Sequence, residues 1–117
     1  MKVFYNEAYT AAAHAFDTTR KSGEIATAMD EGCAPGCEVV DPIDFVDLAE
    51  ELLEATHAPA YVEALRTGEP YDLAGSQGFS WVEGILDTAF NSTAGVLAAV
   101  DAALATGRSS VRLSAVL

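Results

Sequence analysis

The sequence predicts an α/β chain in which a parallel sheet is flanked by helices. Two observations carry that expectation. Short β-branched or aromatic runs stand at Val3–Tyr5, Cys37–Val40 and Val111–Leu117. Stretches with helical spacing lie between them. Strands that alternate with helical segments most simply line up side by side as parallel neighbours.

Taken in order, Val3–Tyr5 reads as a short buried strand, followed by an alanine-rich stretch, Ala8–Ala15, without a clean apolar stripe. Thr18 or Thr19 can open a short helix through Ile25, Ala26 and Met29, which Gly32 stops. Ala34-Pro35-Gly36 forces a turn, and Asp41-Pro42 closes the strand that follows it. Asp44 is a suitable N-cap, and Asp47 sits where the helix dipole favours a negative charge. Phe45, Leu48, Ala49, Leu52 and Leu53 then recur at three- and four-residue intervals, predicting an amphipathic helix with Glu50, Glu51 and Glu54 opposite. Thr56–Pro59 interrupts it, and Pro59 suits the first turn of a second helix that carries Tyr61, Val62 and Leu65 and stops before Gly68.

Glu69–Ser80 reads as a long loop containing Pro70, Gly75 and Gly78, and loops of that length in compact domains are often functional. The clearest helix follows: Ile85, Leu86, Ala89, Phe90, Val96, Leu97, Val100, Ala103 and Leu104 hold one face up to Gly107. Arg108-Ser109-Ser110 is a tight connection into Val111–Leu117. A parallel strand in that place, with few others, leaves unpaired edges and uncovered apolar surface. The expectation is therefore either one part of a larger domain, or a second polypeptide or homo-oligomer covering the open sheet edge.

The 117 residues suit one domain. Six Lys and Arg against eighteen Asp and Glu give a net charge of −12, which argues against a nucleic-acid partner and against an anionic membrane surface. Half of the residues are hydrophobic, too many for a disordered acidic chain. The longest apolar runs are broken by Glu, Asp, Asn or Gly before they reach a membrane span, and Met1–Tyr9 lacks the apolar stretch of a signal peptide. A cytoplasmic protein is expected. Cys33 and Cys37 have a spacing that matches neither a redox nor a metal motif, and they read as a loop pair.

His14 and His57 are the only imidazoles, and each reads as a cap, surface or core residue before it reads as a catalyst. No phosphate-binding glycine loop, nucleophile elbow, zinc-protease or calcium-loop pattern occurs. The Glu50, Glu51 and Glu54 face reads as a solvated helix surface. Phe79 and Trp81, beside the long loop, either anchor it in the core or wall a pocket. The residues alone therefore contain no catalytic constellation and no metal ligands.

Five segments taken in order, Val3–Tyr9, His14–Lys21, Glu51–Leu65, Ser76–Trp81 and Asn91–Gly95, nevertheless resemble the N-terminal part of the zinc-dependent histone deacetylase superfamily, in its bacterial branch. Val3–Tyr9 is similar to the opening strand and loop, and His14–Lys21 to a stretch where related enzymes carry an Arg-containing motif. The most specific piece is Glu51–Leu65, which is similar to the family's ELL…H-x-P-x-Y-V-x-A-L segment. Ser76–Trp81 and Asn91–Gly95 resemble the loop and helix that precede the catalytic core.

The resemblance implies an arginase-deacetylase fold, incomplete in this chain, with residues 1–117 forming a single domain or the N-terminal portion of one. It implies hydrolysis of acetyl-lysine, an acetylpolyamine or a related small amide. Zinc is expected for the full family domain, where it polarises the amide and activates a water. The family's paired histidines and zinc ligands come after a strand like Val111–Leu117, so this chain alone is expected to bind no zinc. By the resemblance Arg20 corresponds to an Arg near the inner end of the family's channel, with a surface or helix-capping Arg as the equal alternative, and Gln77, Gly78, Phe79 and Trp81 complete the substrate-channel candidates. Aligning on Glu83-Gly84 places Gly78 where histone deacetylases carry a substrate-holding Asp, which favours a small acetylated amine or amide over a peptide. The alternative is a catalytically silent interaction or scaffold module that assembles through its open sheet edge.

Overall fold

The computed structural model describes residues 2–10, 17–33, 36–78, 80–107 and 111–112. Strand β1, Lys2–Phe4, leads into a 3-10 turn, Glu7–Thr10. Helix α1, Asp17–Ala28, continues into a wider turn, Met29–Cys33. Strand β2, Glu38–Val40, is followed by a 3-10 turn, Ile43–Phe45, and by helix α2, Val46–Thr56. Helices α3, Pro59–Thr67, and α4, Tyr71–Ala74, precede the longest element, α5, Ile85–Thr106. Strand β3 is Val111–Arg112.

β1 lies at the centre of the sheet, in the order β2-β1-β3, and both pairings are parallel. Val3 pairs with Val39 on one side and with Val111 on the other. The sheet is minimal, with strands of three, three and two residues. Helices supply nearly all the remaining regular structure.

This corrects the expected fold class. The described residues form a small, mostly helical protein, not an α/β arginase-deacetylase arrangement. The reason lies in the lengths of the apolar runs. The strand candidates offer too few residues to build a broad ladder, whereas the long apolar face of α5 finds its partners among helices. α5 packs on α2 and α3 and also reaches β1 and both 3-10 turns. Val62 of α3 meets Leu86 and Phe90 of α5 in the buried cluster, with Val46, Leu53 and Leu65 packed around it.

Other local expectations need adjustment. Asp44 does not cap α2; it lies inside the 3-10 turn, and α2 starts at Val46 without a side-chain cap bond. Leu48 and Leu52 stay 44% and 42% exposed, so α2 turns Ala49 and Leu53 inward instead. The supposed loop of residues 69–80 contains α4. The strand placed at 111–117 is described only for Val111 and Arg112, and the rest of it lies outside the described residues. Ile85–Ala105 is long and apolar enough by length and composition to cross a membrane, contrary to the expectation that every apolar run is broken short of that length. Here its Ile85, Leu86, Phe90, Ala94 and Ala98 side is buried against the rest of the protein.

The β1 end of the molecule is tied to α5 by polar contacts. The Asn6 Nδ2 group donates to Asn91 Oδ1 at 2.8 Å and to Asp41 Oδ1 at 3.0 Å, while Asn6 Oδ1 accepts from the Ala8 N–H at 3.0 Å. Thr88 Oγ1 donates to the Ala8 carbonyl at 3.0 Å. These contacts give the first turn and α5 one fixed relation.

Candidate functional site

A cleft of about 380 Å³ opens between α2, α3 and α5, within the range typical of small-molecule sites. Its position follows from the chain's local punctuation. His57 ends α2 in an extended conformation (φ −103°, ψ 154°), with its backbone N–H donating to Leu53 O at 3.0 Å. Pro59 then occupies the first turn of α3, where its missing N–H costs no helical bond. The resulting elbow brings Leu53, His57, Tyr61 and Leu65 to one wall. The His57 and Tyr61 rings sit with centroids 5.8 Å apart, tilted by 54°.

The opposite wall is α5, which contributes Ile85, Leu86, Ala89 and Val96 together with Ser92 and Thr93. The Ser92 hydroxyl donates back to Ala89 O at 3.2 Å. Gln77 enters from the turn after α4, which the Gly78 N–H closes on Gly75 O at 3.0 Å. Both polar atoms of its carboxamide are buried and lack a hydrogen-bond partner among the described residues. A buried amide left in that state costs about 1–3 kcal/mol, so it marks a place where stability is given up.

The sequence-derived site residues divide. Gln77 is on the cleft. Gly78 adopts φ +99° in the adjoining turn and does not line it. Trp81 is engaged elsewhere: its Nε1–H donates to Leu65 O at 2.7 Å, and its ring covers Gly68. Leu65 O is among the last carbonyls of α3, which have no partner within the helix, so Trp81 acts as the C-terminal cap of that helix. Arg20 lies in α1, and its side chain falls outside the description. Phe79 and His14 lie outside the described residues. Cys37 carries a free thiol, and the Cys33 side chain is not described.

Besides Gln77, the cleft residues with polar side chains are His57, Tyr61, Ser92 and Thr93, none of them among the sequence-derived site residues. All four belong to the segments that carry the family resemblance, and that membership was the available signal. The zinc implied by the resemblance does not fit the described residues, because no three His, Cys, Asp or Glu side chains converge among them. No chemical step is therefore derived through a metal. What the cleft offers is an apolar enclosure with a few hydrogen-bonding groups, suited to holding and orienting a ligand.

The chain matches no protein-family model, no curated protein and no solved structure.

Proposed function

We propose that this chain supplies the N-terminal, substrate-side portion of a deacetylase-like amide hydrolase whose zinc ligands lie outside the described residues. One observation carries the proposal: three separate segments that resemble the deacetylase superfamily meet on a single cleft. Leu53, His57, Tyr61 and Leu65 come from Glu51–Leu65, Gln77 from Ser76–Trp81, and Ser92 and Thr93 from Asn91–Gly95. Segments far apart in sequence that converge on one concavity support a shared role in receiving a ligand. The chain's own residues then bind and orient the amide and exclude water from its apolar part.

The test is to purify the chain with whatever polypeptide accompanies it and measure bound zinc and hydrolysis of an acetylated amine. Zinc and activity are expected only in the presence of the second component. Stoichiometric zinc on the chain alone would overturn this placement of the metal.

A second reading has its own support. Val100 and Leu104 stand 51% and 82% exposed one turn apart on α5, an apolar pair suited to a silent module that assembles with a partner. A stable homo-oligomer in light scattering, with no accompanying zinc polypeptide, would favour it.

A further inference from the structure

Gln77 is held at the tip of a turn, and the side chain it contributes to the cleft carries a paired donor and acceptor in one plane. Neither atom is satisfied within the described residues. The surrounding wall contains Leu53, Leu65, Ile85, Leu86 and Val96, with no Asp, Glu, Lys or Arg on it. A charged group placed inside the cleft would therefore lose its hydration without meeting a fixed counter-charge, His57 being the one ionisable imidazole on the wall. An ester or ether would satisfy the Gln77 N–H and leave its carbonyl oxygen orphaned. A group with an N–H beside a C=O on the same edge satisfies both.

We propose that this cleft binds a small uncharged ligand presenting such an edge, as a lactam or a primary carboxamide does, through a paired hydrogen bond with the Gln77 carboxamide. The rest of the ligand is apolar and packs between α3 and α5. An ordinary trans N-alkyl amide, an acetylated amine included, places its N–H and C=O on opposite edges and engages Gln77 through one of the two bonds, so it is the weaker ligand of the same cleft. The Gln77 amide atoms are shielded from water in this arrangement, so engaging them requires the side chain to turn about its own torsions. The proposal goes beyond hydrolysis and requires neither zinc nor turnover.

The test uses the whole 117-residue chain, labelled so that the Gln77 side-chain amide is observed by NMR. Caprolactam and benzamide are the two probes, and N-methylcaprolactam has the same body with the N–H blocked. Saturable shifts at the Gln77 amide are expected with at least one probe, and the arm that responds separates lactam from primary carboxamide. N-methylcaprolactam is expected to bind about tenfold more weakly than caprolactam where the lactam arm responds. Gln77→Met and Gln77→Leu, followed through the backbone amides of the cleft, are each expected to abolish probe binding or its N–H dependence without lowering the melting temperature, since both remove an unpaired buried amide. Equal binding of the lactam and its N-methyl form, unchanged discrimination in either variant, or no binding of either probe at millimolar concentration would overturn the proposal. Loss of hydrolysis in the accompanied chain would leave this result untouched, so the two proposals fail separately.

Discussion

Gly95, in the middle of α5, lies directly against the hydroxyl of Tyr9, so that a β-carbon added at Gly95 would overlap the Tyr9 oxygen. Tyr9 is fully buried, and its ring meets Tyr5 edge-on with centroids 5.3 Å apart. A helix-interior glycine ordinarily weakens a helix by about 1 kcal/mol relative to alanine. At this position the close approach of the tyrosine reverses that preference.

Gly95→Ala is therefore expected to destabilise the chain, because overpacking costs about 1–3 kcal/mol and outweighs the propensity gain. Tyr9→Phe in the same chain removes the clashing oxygen but leaves the ring carbon Cζ 2.9 Å from the added β-carbon, and is expected to restore part of the loss. Urea unfolding of the two single variants and the double variant measures the coupling. A Gly95→Ala chain more stable than the parent would contradict the packing described.

Trp81→Phe leaves the Leu65 carbonyl without its 2.7 Å donor while keeping an aromatic ring near Gly68. The expected loss is about 1–3 kcal/mol. It should be accompanied by faster amide exchange in the last turn of α3 than in α5. Uniform exchange changes across both helices would show that Trp81 is a general packing residue and not a cap.

Asn6→Ala and Asp41→Ala remove different shares of one polar cluster. Asn6 bonds Asp41, Asn91 and the Ala8 N–H, whereas Asp41 is exposed and enters the cluster through Asn6. Asn6→Ala is expected to cost about 2 kcal/mol and Asp41→Ala under about 1 kcal/mol. Chemical denaturation of the two variants gives the order, and equal losses would contradict it.

The face of α5 sets a further contrast. Phe90 is buried in the helical core, and its truncation to Ala is expected to cost about 3–5 kcal/mol. Leu104→Ala, at the exposed end of the same helix, is expected to change stability by less than about 0.5 kcal/mol. Thermal melts of both variants at one protein concentration test this. A large Leu104 effect that grows with concentration would point to self-association through that end.

What was legible in the sequence was mostly punctuation. Pro59 at the start of α3, Gly68 and Gly107 just past α3 and α5, and the long apolar period of α5 each act locally, and each is found where the residues place it. Gly68 illustrates why: its φ of +82° and its contact under the Trp81 ring both exclude a β-carbon. The side of α2 that faces inward was less legible. Leu48, Ala49, Leu52 and Leu53 permit two overlapping stripes, and only contact with Val62, Leu86 and Phe90 selects the one that includes Leu53.

The extent of the sheet is illegible in the sequence for a related reason. Val3–Tyr5 and Cys37–Val40 look like strands, but whether a strand candidate belongs to a broad sheet depends on partners distant in sequence. The Asn6 cluster had no signal either, since Asn6, Asp41 and Asn91 are single polar residues scattered along the chain. Gln77 was nominated through resemblance, but its unpaired amide became visible only with the fold.

The contacts from the first turn to α5 have a mechanical consequence. Ala8 holds Thr88, Asn6 holds Asn91, and Tyr9 rests on Gly95, so three successive teeth engage one flank of the helix. A helix turns by about 100° and advances about 1.5 Å per residue. One residue inserted between Thr88 and Gly95 would throw at least one tooth off its flank. The same insertion beyond Val100 would leave all three engaged. The first half of α5 is thus indexed against the turn that follows β1 like a ratcheted bar, and the Thr93 side of the cleft inherits that fixed register.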